Sequence, residues 1–179
     1  MSKTLFTSDT HFHHGNVIQF CNRPFGSVDH MNGELVRNWN SVAEPSDHVW
    51  FLGDFSFGTY DETVDILQQL NGHKHLIVGN HDRKGRADKL FNRDWEKWFV
   101  DRHDYYRLKV DGYKFVLCHF PFSSWERGYY NLHGHLHTLA GSENKWRQWD
   151  VGVDRNNYTP VVLSDVIKLA DNGTKPTVF

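Results

Sequence analysis

The stretch Ser8-Asp9-Thr10-His11-Phe12-His13-His14-Gly15-Asn16 follows closely on the apolar pair Leu5-Phe6. An aspartate and then three histidines crowd the end of what reads as a first strand, Lys3–Ser8. Four further apolar runs stop in the same manner. His48–Gly53 ends at Asp54, Lys74–Gly79 at Asn80-His81-Asp82, Tyr113–Cys118 at His119, and Tyr129–Gly134 at His135 and His137. Runs that are apolar on both faces and bounded by polar breaks read as buried strands.

Helical patterns lie between some of these runs. Val28, Met31, Leu35, Trp39 and Val42 recur at helical spacing, in spite of Gly33 within the stretch. Thr59-Tyr60-Asp61-Glu62 has the form of a capping box, followed by an apolar stripe of Val64, Leu67 and Leu70 and a stop at Asn71-Gly72. Ser164 is placed to cap a last helix over Asp165–Ala170. Alternation of strand and helix in the first half predicts a parallel sheet. The second half is richer in strands: Tyr105–Val110, Tyr113–Cys118, Tyr129–Gly134, Gln148–Val153 and Pro160–Leu163. Val110-Asp111-Gly112-Tyr113 predicts a hairpin turn.

Ligands of open α/β sheets gather at the carboxyl ends of strands. If these strands are neighbours, Asp9, His11, Asp54, Asn80, His81, His119, His135 and His137 converge on one cleft. Asp9 and His11 are two apart, as are His135 and His137, and in extended chain each pair shares a face. Gly53, Gly79 and Gly134 stand just before candidate ligands, where glycine permits close approach. Any one of these histidines alone reads as a hydrogen-bonded loop residue. Together they read as a metal site. Mixed oxygen and imidazole donors suit Mn, Fe, Zn or Ni. A pair of metals needs a bridging carboxylate, and two-metal sites commonly handle phosphoryl displacement.

DTH at Asp9, GDF at Gly53, GNHD at Gly79, the lone His119 and GHLH at Gly134, in that order, resemble the calcineurin-like metallophosphoesterase superfamily. The resemblance runs from Asp9 to His137. It implies one domain over residues 1–179, an α/β four-layer α-β-β-α sandwich of two mixed sheets flanked by helices. It implies two divalent metal ions, Mn first among the candidates. Asp9, His11, Asp54 and His137 would hold one, and Asp54, Asn80, His119 and His135 the other. A hydroxide shared by the ions would be the nucleophile, and His81 would protonate the leaving alkoxide. Asp82 would orient His81 or cap its loop.

The protein-phosphatase branch carries GDxVDRG, which Gly53-Asp54-Phe55-Ser56-Phe57-Gly58 does not match. The chain is more similar to small bacterial and phage phosphoesterases, and His11–Phe25 resembles an HFxHxNI…RPF segment of one such subgroup. On that segment His14 and Asn16 are candidate substrate contacts. Arg23 either clamps a phosphate or serves as a surface ion-pair partner. The expected reaction is hydrolysis of a phosphodiester, with a cyclic or small nucleotide as the substrate class. The alternatives are a phosphomonoesterase or nucleotidase and, in a different class, a scaffold that uses the fold without catalysis.

The bulk properties bound these readings. A chain of 179 residues, 39% hydrophobic and 23% charged, suits one globular core. A net charge of −2 gives no global pull toward duplex nucleic acid. Cys21 and Cys118 form neither a disulfide framework nor a CxxC pair, so a cytoplasmic setting is expected. No segment reads as a signal peptide or a membrane span. His13, His48, His73, His75 and His133 fall outside the ligand pattern and are expected at the surface or in structural roles.

Overall fold

The computed structural model describes residues 2–137 and 145–172. Among the described residues nine strands form two mixed sheets. The first has the order β4-β3-β2-β1-β9 and the second β5-β6-β7-β8. In the first, β1 (Thr4–Thr7), β2 (His48–Phe51), β3 (His73–Ile77) and β4 (Arg102–His103) run parallel, and β9 (Val161–Val162) runs antiparallel to β1. In the second, β5 (Tyr105–Val110) pairs antiparallel with β6 (Tyr113–Cys118). Then β7 (Tyr130–His133) and β8 (Gln148–Asp150) continue parallel to β6. The hairpin turn between β5 and β6 has φ of 48° at Asp111 and 81° at Gly112. Two consecutive positive angles are what a two-residue primed turn requires.

Strand alternation sorts the apolar residues into two cores. Leu5, Val49, Phe51 and Leu76 face α2 (Val28–Val42) and α3 (Tyr60–Gln69), packing with Leu35, Trp39, Ile66 and Leu67. Phe6, Trp50, Leu52 and Ile77 face the other way, toward Phe115, Leu117 and Leu132 of the second sheet. Phe6 and Phe115 meet with ring centroids 5.5 Å apart. Both sides of the parallel strands are therefore buried, which is why they read as unbroken apolar runs.

Both long helices start as the sequence predicts. Ser27 accepts the His30 amide hydrogen at the head of α2, and Thr59 and Glu62 form a reciprocal capping box at the head of α3. The last helix differs: α5 spans Leu163–Asp171, its cap residue is Val162, and Ser164 lies in its first turn without a capping role. Burial of Leu163, Val166 and Ala170 against the inter-sheet core starts this helix, without help from a side-chain cap. Two short helices, α1 (Gly15–Phe20) and α4 (Asp88–Asn92), complete the set. The stretch from Arg83 to Arg102 buries Ala87, Leu90, Phe91 and Phe99 in the first core. No helix among the described residues is long and apolar enough to cross a membrane.

Candidate metal centre

Parallel β1, β2 and β3 bring their carboxyl ends to one edge, and the loops beyond them are stitched together there. Asp9 donates its amide hydrogen to Gly53 O at 2.9 Å, His11 to Asp54 O at 3.1 Å, and Gly134 to His119 O at 3.0 Å. The expectation that Asp9 and His11, or His135 and His137, share a face of extended chain is corrected by the backbone. Their φ values are 56° and 50°, and 73° and 51°, and Asp54 stands at 60°. These are left-handed conformations, costing about 1–3 kcal/mol each for residues with a Cβ. Each pair converges through a turn at every candidate ligand. The glycines before them are needed for space. A Cβ on Gly79 would run into the Asp54 carboxylate, and one on Gly134 into the Asp9 carboxylate and the Ser8 hydroxyl.

The side chains assemble into two groups. Asp9, His11 and His137 have donor atoms within 4.8 Å of one another, and so have Asp54, His119 and His135. In the first group, Asp9 Oδ2 accepts from Ser8 Oγ at 2.5 Å and from the His135 amide at 2.9 Å. Its Oδ1 is buried without a partner, 3.8 Å from His11 Nε2 and 3.8 Å from His137 Nε2. Both ring nitrogens of His11 are likewise buried and unpartnered. Leaving such groups unsatisfied costs about 1–3 kcal/mol apiece, and a cation among them removes that cost. The donor set therefore fits a divalent transition metal.

Asp54 stands between the groups. Its Oδ1 accepts the His81 amide hydrogen at 2.9 Å. Its Oδ2 lies 3.4 Å from His119 Nε2, 3.8 Å from His11 Nε2 and 4.0 Å from His81 Nε2. Asn80 Oδ1 faces His119 Nε2 at 3.0 Å. The His81 ring is half-exposed, over this carboxylate.

The charges are strongly coupled. Burial resists ionisation of Asp9, but His11, His119 and His137 hold its carboxyl well below the usual range. Burial likewise resists ionisation of Asp54, and the His119 hydrogen bond pulls it down. Burial also resists protonation of His119, yet Asp54 and Asp9 raise it to about 9. For His137 burial is overcome by Asp154 and Asp9, which raise it to about 10. Cations take the place of such protons when carboxylate–imidazole sites load.

Around this centre the predicted outer residues separate. Asp82 is buried and caps loops: its carboxylate accepts from the amides of Asp54 and Phe55, both at 2.9 Å, and of Gly79 at 2.8 Å. His14 stacks on Phe57, with ring centroids 3.8 Å apart and planes 8° from parallel. Burial and the charges of His11 and His81 lower its pKa to about 4, leaving a neutral imidazole. Asn16 is exposed in the first turn of α1. His13 is half-buried and paired with Asn32, so it is tethered where a surface residue was expected.

Arg23 as a phosphate clamp is corrected outright. Its side chain has no exposed area, and Nε and Nη2 grip Asp154 at 2.7 and 2.8 Å. Nη1 donates to Thr10 O at 2.8 Å and Nη2 to Asp9 O at 2.7 Å. No donor is left for a substrate. Asp154, which sequence reasoning missed, also accepts from His137 Nδ1 at 2.6 Å. Its only sequence signal is an aspartate shortly after the run Gln148–Val153, too common a pattern to single out. Phe57 was missed as well, because only the fold sets it against His11, His14 and His81.

Several known proteins are similar to this chain in sequence or in fold. The uncharacterized protein MJ1445 of Methanocaldococcus jannaschii is 37% identical over 182 residues, covering 97% of this chain and 94% of that protein. The gene 66 protein of Mycobacterium phage L5 is 31% identical over 184 residues, covering 92% of this chain and 81% of its own. The crystal structure of AQ665 from Aquifex aeolicus, a protein of unknown function, superposes with a TM-score of 0.74 at 24% identity. It covers 94% of this chain and 100% of that one, a likeness of fold. The family model for calcineurin-like phosphoesterases matches residues 2–178. With the ordered motifs, the two-sheet fold and the paired donor groups, this chain belongs to the calcineurin-like phosphoesterase family, whose chemistry is metal-dependent phosphoester hydrolysis.

Proposed function

We propose that Asp9, His11, Asp54 and His137 hold one divalent cation and Asp54, Asn80, His119 and His135 a second. We propose further that the protein hydrolyses a phosphodiester, with a cyclic or small nucleotide as the substrate class. The observation that carries this reading is the position of Asp54, whose Oδ2 lies within 4.0 Å of histidines of both groups. Mn is the favoured ion, and the same donors accept Fe, Zn or Ni. When bound, the two ions supply Lewis acidity and a water of lowered pKa.

The chain supplies the rest. Asp82 and the strand-end loops hold the donors in place. His81, tied to Asp54 through its backbone and carrying a half-exposed ring, delivers the proton to the leaving alkoxide. Two aromatic surfaces support a flat organic group on the ester. One is Phe57 with the neutral His14. The other is Phe120, 45% exposed, with its ring 4.7 Å from His135. Nucleobases stack on such surfaces. Free Cys21 and Cys118 support a reducing, cytoplasmic setting.

The test is a comparison on one preparation. The protein is stripped of metal, reloaded with Mn²⁺, and offered bis-p-nitrophenyl phosphate beside p-nitrophenyl phosphate. Faster turnover of the diester is expected. Faster turnover of the monoester would replace this reading with a phosphatase or nucleotidase. A protein that takes up no metal and turns over neither ester would be the scaffold.

A further inference from the structure

The two donor groups are held in different ways. The buried Asp82 carboxylate ties the Asp54 loop to Gly79, His119 Nδ1 faces Leu52 O at 2.8 Å, and His135 is tied through its amide to Asp9 Oδ2. Asp9, His11 and His137 are gathered by a cation. The Arg23 guanidinium takes the carbonyls of Asp9 and Thr10, which frame the left-handed turn carrying Asp9 and His11. With its remaining fork it takes both oxygens of Asp154. Asp154 in turn accepts from His137 Nδ1. One buried side chain thus bonds to the Asp9 and Thr10 carbonyls directly and to His137 through Asp154, and its hydrogen bonds go to no member of the other group.

We infer that Arg23 and Asp154 are a positioning pair for the Asp9–His11–His137 half of the centre alone. The pair fixes the turn that presents Asp9 and His11, and holds the His137 Nδ1–H donating to Asp154 so that Nε2 is left free to take a cation. A carboxylate behind a ligating imidazole fixes its tautomer and orientation, and its loss typically costs about 10- to 100-fold in metal affinity. The inference rests on the metal assignment proposed above. It goes beyond it in giving one half of the centre a supporting pair of its own.

The experiment measures metal content and spectrum, with no substrate present. Wild type, Asp154→Asn and Arg23→Lys are dialysed against graded Mn²⁺. Bound metal per chain is measured by elemental analysis, and coupling between ions by electron paramagnetic resonance. Wild type should bind two ions with the signature of a coupled pair. Asp154→Asn keeps the shape of the side chain and removes the charge. It should hold one ion at unchanged affinity and bind the second about 10- to 100-fold more weakly, with an isolated-ion spectrum at intermediate Mn²⁺. Arg23→Lys keeps the charge and loses the fork, and should do the same. Two ions bound as in wild type by both variants would overturn the inference. So would equal weakening of both sites. Circular dichroism establishes which variants are folded, and if Asp154→Asn fails to fold, Arg23→Lys decides. Wild type that binds no Mn²⁺ would instead sink the metal assignment itself.

Discussion

The molecule carries two clusters of histidines, and they differ in what their nitrogens face. At the carboxyl ends of the strands, His11 has both ring nitrogens buried without partners, and the candidate ligands Asp9, His11, Asp54, His135 and His137 sit on left-handed backbone. Within β2 and β3, by contrast, His48, His73 and His75 occupy regular paired strand. There His48 Nδ1 meets His75 Nε2 at 2.9 Å, and His75 Nδ1 meets Asp101 Oδ2 at 3.0 Å. The His75 ring stacks on Trp50, with centroids 4.3 Å apart. Both ring nitrogens of His75 are partnered within the chain, and neither of those of His11 is. Residue type is the same in both. Strain and unsatisfied donors, which a fold retains only where something compensates them, mark the site.

That contrast can be broken most severely at its shared carboxylate. Asp54→Ala, and separately His119→Ala, should abolish Mn²⁺ retention and hydrolysis. The loss should exceed the about 10- to 100-fold that removal of an outer partner costs. Wild-type turnover in Asp54→Ala would end the assignment. Next in size is Gly134→Ala, which drives a methyl group into Asp9 and Ser8. It should cost about 1–3 kcal/mol of stability by overpacking and, in addition, most of the metal affinity. Urea unfolding beside metal titration separates the two losses.

The satisfied cluster should behave in the opposite way. His75→Ala removes a stacked ring and two hydrogen-bond partnerships, and should cost about 1–3 kcal/mol of stability. Metal content should stay at the wild-type value, and any loss of metal would dissolve the distinction between the clusters. The smallest effect is one of pH. Burial lowers the His75 pKa below its ordinary 6.5, with Asp101 opposing. The folded state therefore binds this proton less readily than the unfolded chain does. The contribution of His75 is fully present above pH 6.5 and is lost as pH falls through the lower, folded value. His75→Gln should flatten that part of the stability profile, measured by denaturant midpoints at stepped pH.

Much of this was legible in the residues. The strands ending at Asp54, Asn80, His119 and His135 were readable because burial on both faces writes an unbroken apolar run. The head of α3 was readable because a capping box is a local device of four residues. The donor positions stood out because they repeat at the ends of several strands. The course of the backbone through them did not. Asp9 and His11 look extended by spacing, and only the packing of neighbouring loops drives both to positive φ. Arg23 was misread because an arginine beside a proline looks like a surface residue until its partner is known, and that partner lies 131 positions away at Asp154.

The sequence by itself determined the class of fold, the donor atoms and their order along the chain, since these follow from local patterning and side-chain chemistry. The tertiary structure decided which donors lie together, which histidines are satisfied elsewhere, and which carboxylate Arg23 meets. Those outcomes depend on groups far apart in the chain meeting where water is excluded. There an unpaired charge is costly, so each buried ion is tied to the partners the fold brings to it.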